Sequence, residues 1–417
     1  MIEIKPLPRC DATVKLPGSK SYTHRALILS ALADGESLLI NALQSKDTEY
    51  TLQALEKFGV RSFWEKDLLH VIGNGGRLGS TEEKIFVGNS GTSMRFLTAL
   101  AALKEGRTLV DGDKRMRRRP IADLLEGLEK LGVKTHSRNG FPPVVIESQG
   151  LSGGRVKIRG EESSQFLSAL LMVAPYAHRD IHIEVTGHLV SKPYIEITRK
   201  VMSAFGVEVQ NQDHCYFFVR AGLRYSPQKY MIEGDASNAS YFFSAAALNQ
   251  GRIRVENFPS TSVQGDVRFL DILEKMGCEV IRGNGWVEVY GRELKGIEID
   301  MNEMPDLVPT LAVTSAFAWG KTVMKNIGHL RLKESDRIRA LAEELTKMGI
   351  RVKEGETYLK VEGGRAHGAE IETYNDHRIA MSFAIAGLVV PGIKIKGEKC
   401  VDKSFPDFWK SFGRLYT

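Results

Sequence analysis

The chain has 417 residues, 42% of them apolar and 26% charged. Those fractions belong to a folded, soluble chain and exclude disordered, collagen-like and mucin-like classes, while at roughly 150 residues per domain the length calls for about two to three domains. Lys and Arg outnumber Asp and Glu by 57 to 51, an excess that suits anionic small molecules but, unless concentrated, is too weak to imply nucleic acid.

The opening MIEIKPLPRC has no apolar signal core and no transit character, so a cytoplasmic protein is expected. The four cysteines, Cys10, Cys215, Cys278 and Cys400, lack metal-ligand or CxxC spacing and read as reduced thiols. The longest apolar run, near Ala380–Val390, stops at Pro391 and is shorter than the ~18–20 residues of a membrane helix.

Residues 1–16 look like strands, and VKLPGSKSYTHRALILSAL then passes from strand through a polar turn into an apolar helix. That pattern returns as IFVGNSGTSMRFLTALAAL, VKIRGEESSQFLSALLMVA, YMIEGDASNASYFFSAAAL, IDMNEMPDLVPTLAVTSAF and IETYNDHRIAMSFAIAGLV. Aligned on Ser19, Ser90, Ser163, Asp235, Asp306 and Asp376, the intervals are 71, 73, 72, 71 and 70. Between the copies run second, amphipathic helices that stop at Gly59, Gly132, Gly206, Gly277 and Gly349, spaced 73, 74, 71 and 72 apart. A helix commonly ends on a left-handed residue, which glycine adopts most cheaply. β-rich stretches follow, and Asn284-Gly285 inside one of them is a hairpin signal. A period near 72 with its own strands and helices predicts compact domains rather than a solenoid.

The sixth copy reaches the helix-like Phe405–Gly413 without the strands that should follow. Residues 1 to about 18 are therefore expected to complete it. This gives an α/β chain in two domains: 1–18 with 233–417, and 19–232. Each holds three pseudo-symmetric βαβαββ units, and the chain crosses near Gly18 and Glu233–Gly234.

Polar residues collect where the apolar helices begin: Ser19-Lys20-Ser21, Asn89-Ser90-Gly91, Ser163-Ser164-Gln165, Asp235, Asp306 and Asp376-His377-Arg378. Free N–H groups and the helix dipole make such termini anion sites, while Ser, Asp and Asn are also ordinary caps. Lys20, Arg25 and Arg378 in or beside these turns are harder to explain as caps. A cation there is unfavourable, so an anion should offset each. Further cations lie in KRMRRRP (Lys114–Pro120), RLKESDR (Arg331–Arg337) and at Lys403; arginine suits bidentate capture of carboxylate and phosphate. Gly320-Lys321-Thr322 is not a P-loop tail, because Ser315 stands where that motif needs glycine. His178, His182 and His188 are spaced loosely around an expected strand.

Taken together, Leu16–Leu27, Gly88–Arg95, Arg118–Ile121, Ser163–Met172, Ser191–Thr198, Glu233–Phe242, the Asp306 turn, Leu332–Ile338, Asn375–Met381 and Asp402–Phe408 resemble the 5-enolpyruvylshikimate-3-phosphate synthase family, in its order and over essentially the whole chain. The resemblance implies a two-domain, inside-out α/β barrel with the active site in the interdomain cleft. It implies transfer of the enolpyruvyl group of phosphoenolpyruvate (PEP) to the 5-hydroxyl of shikimate 3-phosphate, releasing phosphate through a tetrahedral intermediate. Neither metal nor cofactor is implied, and the family is usually monomeric.

Carried over by position, shikimate 3-phosphate falls to Lys20, Ser21, Arg25, Ser163, Ser164, Gln165, Ser191, Tyr194, Asp306, His329 and Lys333. PEP falls to Lys20, Asn89, Gly91, Arg119, Gln165, Arg337, Arg378 and Lys403. Asp306 is then the base on the hydroxyl, Glu334 a proton shuttle, and Lys20 a catalytic cation. Lys333 and Arg337 beside Glu334 favour its charged form, and desolvation works against them. His329 stands where the family often has Asn, and Phe96 where many members have Pro. The sister transferase acting on UDP-N-acetylglucosamine is the nearest alternative, but its reactive Cys is absent from Lys114–Arg119 and its Lys-Asn pair is Lys20-Ser21 here. A nucleic-acid-binding role for the arginine run is the distant one, without the aromatic interleaving expected there. No membrane partner is expected.

Overall fold

A computed structural model describes residues 1–79, 84–258 and 261–417. The chain divides into two compact units, Gly18–Ile232 and Met1–Pro17 with Glu233–Thr417.

Twelve α-helices are formed among the described residues: α1 Lys20–Leu32, α2 Lys46–Lys57, α3 Gly91–Ala101, α4 Ala122–Lys130, α5 Ser164–Val173, α6 Lys192–Ala204, α7 Ala236–Asn249, α8 Phe269–Met276, α9 Val308–Ser315, α10 Arg337–Lys347, α11 His377–Ala386 and α12 Phe408–Gly413. The odd-numbered ones are the repeated apolar helices. They are buried on nearly every side, as helices apolar all round must be. The even-numbered ones bury one face, and the glycines that follow α2, α4, α6, α8 and α10 have φ of +82°, +92°, +88°, +118° and +82°.

In the Glu233–Thr417 unit α7, α9 and α11 pack against one another, and α7 and α9 also pack on their own sheets. Small hydroxyl side chains meet among them: Ser240 Oγ lies 3.2 Å from Thr310 Oγ1, Thr310 3.3 Å from Ser382, and Thr314 donates to Ser244 at 3.0 Å. Each such contact satisfies a polar group that burial would otherwise penalise.

Sheet pairing follows one rule. A short strand runs parallel to a second, which pairs antiparallel with the far arm of a hairpin: Gly154–Arg159, Ile181–Thr186, Tyr216–Val219 and Gln210–Gln212 in one sheet, Glu298–Asp300, Lys321–Lys325, Leu359–Glu362 and Arg351–Glu354 in another. Asn284-Gly285 closes the hairpin of Glu279–Gly283 with Trp286–Tyr290.

The first segment departs from expectation. Only Ile2–Glu3 enters the sheet of the sixth repeat, antiparallel to Lys394–Ile395. Asp11–Lys15 instead runs parallel to Arg252–Glu256 of the fourth repeat, and the fourth repeat's own first strand, Lys229–Met231, runs parallel to Asp34–Ile40 of the first. The two leading strands are thus exchanged. Each is tied to its host by an asparagine in the left-handed region. Asn257 (φ +52°) accepts from Leu16 N at 2.9 Å and donates to Leu16 O at 3.0 Å, and Asn41 (φ +58°) donates to Ile232 O at 3.1 Å. Beside them the backbone leaves no room for a Cβ at Gly18, against Asn41 O, or at Gly234, 2.5 Å from Asn257 O.

No helix among the described residues is long and apolar enough to cross a membrane.

Candidate functional site

In the Gly18–Ile232 unit the implicated residues form one connected set around the starts of α1, α3, α5 and α6. Lys20 opens α1, and its Nζ lies 3.1 Å from Asp47 Oδ2. One turn on, Arg25 is 2% exposed. It donates to Thr198 Oγ1 (2.7 Å), to the carbonyls of Ser21 (2.9 Å) and Tyr194 (3.0 Å), and to Ser168 Oγ (3.3 Å), with its guanidinium 5.2 Å from the Phe96 ring centroid. Every hydrogen-bond partner is neutral, and among the described residues no carboxylate lies within 4 Å. Burial lowers its pKa to about 10, so it stays charged at neutral pH. A cation held this way costs free energy until an anion arrives. Ser21 supplies a backbone carbonyl here, and so does Tyr194.

Ser90 caps α3 through Ser93 N, and Ser163 caps α5 through Gln165 N. Gln165 Nε2 donates to Thr92 Oγ1 at 3.0 Å, joining α5 to α3; Ser164 is buried beside it. Ser191 precedes α6 at φ +57°, a conformation that costs a serine free energy and is commonly found at functional sites.

The arginine run does not act as one patch. Arg119 is buried and donates to the backbone and side-chain oxygens of Asn89, both at 3.2 Å. Arg117 points instead to Asp111 (2.6 and 2.9 Å), and Lys114, Arg117 and Arg118 are exposed. Gly91 lies under Arg119: a Cβ there would meet Arg119 Nη2 at 2.5 Å and Arg95 Nη1 at 2.8 Å. Arg95 is a residue the sequence reading left without a role. It is buried and donates to the carbonyls of Gly91 and Pro120, both at 3.1 Å, tying the glycine to the loop that carries Arg119. Its place four residues after Gly91, one helical turn, was the available signal.

In the Glu233–Thr417 unit the set is ionic. Arg337, 1% exposed, opens α10 and donates to Asp376 (2.8 and 3.3 Å), Asp306 (2.8 Å) and Glu334 (2.9 Å). Arg378, in the first turn of α11, donates to the other oxygen of Asp306 at 2.7 Å. Lys403 Nζ lies 3.8 Å from Glu334 Oε1. Asp306 therefore bridges two buried guanidinium groups. Burial pushes its carboxyl up, but Arg378, Arg337 and Lys333 outweigh it and hold the pKa well below the usual carboxylate range. It does not stand at an N-cap, since Pro305–Leu307 form a 3-10 turn and Pro309 follows; Ser19 does precede α1 but makes no side-chain cap bond. Asp235 and Asp376 do cap, accepting from Asn238 N and Arg378 N. Asp376 has a second task, as the fully buried counterion of Arg337.

His329 is 9% exposed, and its Nε2 is buried without a partner. Burial first, then Lys333, lowers its pKa to about 3, so the ring is neutral at pH 7. The anions that Lys20 and Arg378 require at their helix starts are thus supplied by Asp47 and Asp306.

The model of the family described as EPSP synthase (3-phosphoshikimate 1-carboxyvinyltransferase) matches residues 4–412. The 3-phosphoshikimate 1-carboxyvinyltransferase of Nostoc punctiforme is 47% identical, over 99% of this chain and 99% of that protein. That of Shewanella pealeana is 43% identical at the same coverage. Among solved structures, the EPSP synthase of Acinetobacter baumannii superposes with a TM-score of 0.82 at 28% identity, covering 99% of this chain and 97% of that one. With the motifs in order and the fold shared over the full length, the chain belongs to the EPSP synthase family.

Proposed function

We infer that the chain carries out its family's reaction: the enolpyruvyl group of PEP passes to the 5-hydroxyl of shikimate 3-phosphate and phosphate leaves. The observation that carries the assignment to these residues is the pair of buried guanidinium groups, Arg337 and Arg378, sharing one carboxylate, Asp306.

The four anionic groups of the two substrates match cations that this fold already holds buried. Arg25, with no carboxylate of its own among the described residues, takes an anionic group of shikimate 3-phosphate. Lys20 and Ser21 assist it, Ser163, Ser164 and Gln165 hold the phosphate and ring, and Ser191 and Tyr194 complete the set. Arg119 over Asn89 and Gly91, with Gln165, Lys20, Arg337, Arg378 and Lys403, takes PEP. Lys333 and the neutral His329 hold the region of the reacting hydroxyl.

The first step forms the bond from the 5-oxygen to C2 of PEP while C3 gains a proton and the hydroxyl loses one. The second returns a proton from C3 and breaks the C2–O bond to phosphate. Asp306 receives the hydroxyl proton, and Glu334, between Arg337 and Lys403, serves C3. In the unliganded protein Asp306 holds the arginines that PEP needs. When the carboxylate of PEP takes them over, Asp306 loses its two strongest stabilising charges and becomes a stronger base. Basicity is thereby coupled to occupancy.

Glu334→Gln is expected to cut the single-turnover rate about a hundredfold with substrate affinities close to wild type. An unchanged single-turnover rate would remove Glu334 from the proton path. Gly91→Ala is expected to raise KM for PEP roughly 10–100-fold, because displacing Arg119 forfeits a charge-assisted bond of about 1.5–3 kcal/mol. Steady-state phosphate release against PEP concentration checks this, and a KM within twofold of wild type would mean that Arg119 relaxes without loss.

We further propose that the enzyme works as a cytoplasmic monomer without nucleic-acid partners, in keeping with its family's habit and its modest net charge of +6.

A further inference from the structure

One carboxyl of the Glu233–Thr417 unit is buried without a counterion. Asp266 lies in the 3-10 turn Gly265–Arg268 and is 5% exposed. Its Oδ2 meets Ser237 Oγ, in the first turn of α7, while its Oδ1 is buried with no hydrogen-bond partner. Among the described residues no cation lies within ion-pair distance of it.

The charges that act on it most strongly come from three elements: Asp306 from the Pro305–Leu307 turn, Arg378 from α11 and Asp235 from the start of α7. Arg268 of its own turn is committed to Glu303 at 2.6 Å, and Asp271 and Glu274 of α8 to Arg282, both at 2.8 Å. Asp306 and Asp235 are negative, and the positive Arg378 is already donating to Asp306.

We propose that Asp266 is a positioning residue that works uncharged: as a neutral carboxyl it holds Ser237 and leaves Arg378 free to exchange Asp306 for an anionic substrate. Ionised, it would be a second buried carboxylate competing for the same guanidinium, and its repulsion would fall on the incoming anion as well. A carboxylate with one oxygen unpartnered in this surrounding is costly. Burial first, then the nearby Asp306, raises its pKa to about 7 against the opposing effects of Ser237 and Arg378. Ionisation thus falls within the working range of pH.

The inference rests on the reading that Arg378 receives PEP, and the experiment separates the two. KM for PEP is measured by phosphate release from pH 6 to 9 for wild type, Asp266→Asn, Asp266→Ala and Arg378→Ala. Wild type is expected to show KM rising at least threefold from pH 7 to 9. Asp266→Asn, neutral at every pH, should lose that rise. Asp266→Ala should have a raised KM throughout, and the asparagine should recover most of it. Superimposable pH curves for wild type and Asp266→Asn overturn the role of Asp266. An unchanged KM in Arg378→Ala overturns the placement of PEP instead.

Thermal unfolding gives a readout free of substrate. A carboxyl whose pKa is higher folded than unfolded loses stability for the protein as pH rises from the unfolded value near 4 through the folded one. The Tm advantage of Asp266→Asn over wild type should therefore grow between pH 4 and 7 and level off above. A pH-independent difference contradicts the proposal.

Discussion

Asp306→Asn is expected to lower kcat by about 10²–10⁴, the usual contribution of a positioned general base, while KM for PEP stays level or falls. The second half distinguishes this site from an ordinary base deletion. The carboxylate of Asp306 occupies Arg337 Nη1 at 2.8 Å and Arg378 Nη2 at 2.7 Å, so PEP must displace it. An amide carries no charge and competes weakly. A variant that lowers kcat and KM together has lost an interaction that opposed ground-state binding. The pH profile should agree: the pKa of Asp306 lies so far below neutrality that it stays ionised in the free enzyme, and its titration should not appear in kcat/KM above pH 5. Phosphate release at saturating shikimate 3-phosphate reads both constants. A large rise in KM would mean that Asp306 helps to hold PEP rather than yielding to it.

Arg337→Ala carries the largest expected cost in stability, about 3–5 kcal/mol, typical of removing one partner from a buried ionic cluster. Three carboxylates bond this one guanidinium, and Asp376 and Glu334 are 0% and 9% exposed. Asp376 is also the N-cap of α11, so an unbalanced charge there loosens the helix that carries Arg378. For a unit of this size the loss corresponds to a Tm lower by roughly 6–20 °C. Arg337→Lys should recover little, since a point-like ammonium cannot reach three carboxylates with the geometry of a planar fork. Chemical denaturation of both variants checks this; an unshifted midpoint would show that the carboxylates find other cations.

The architecture was legible in the sequence wherever one physical requirement repeats. A buried helix needs an apolar surface all round, a polar start and an amphipathic partner ending on a left-handed residue, and those demands recur at Gly59 and Gly349 alike. The ligand set was legible as a family pattern, and Lys20, Arg25 and Arg378 also stood out as cations where the helix dipole opposes them. The roles of three aspartates were not. Asp47, Asp376 and Asp266 sit in turns and first helical positions where aspartate is unremarkable, and only the packing of separate elements shows whether one caps, pairs or does neither. Strand exchange was hidden for a related reason. Asp11–Lys15 and Lys229–Met231 are equivalent by repeat, so no local preference separates pairing with the adjacent repeat from pairing with its distant counterpart.

That exchange has a consequence for synthesis. Asp11–Lys15 leaves the ribosome early, but its neighbour Arg252–Glu256 follows only after some 240 more residues, about 10–50 s later at ordinary elongation rates. The Gly18–Ile232 unit has its whole sequence available first and can close without waiting. Asp11–Lys15 spends that interval with both edges unpaired, and its five residues, Asp-Ala-Thr-Val-Lys, carry a charge at each end. Terminal charges of this kind discourage pairing with other chains, so the strand can stay solvated until its proper neighbour is made.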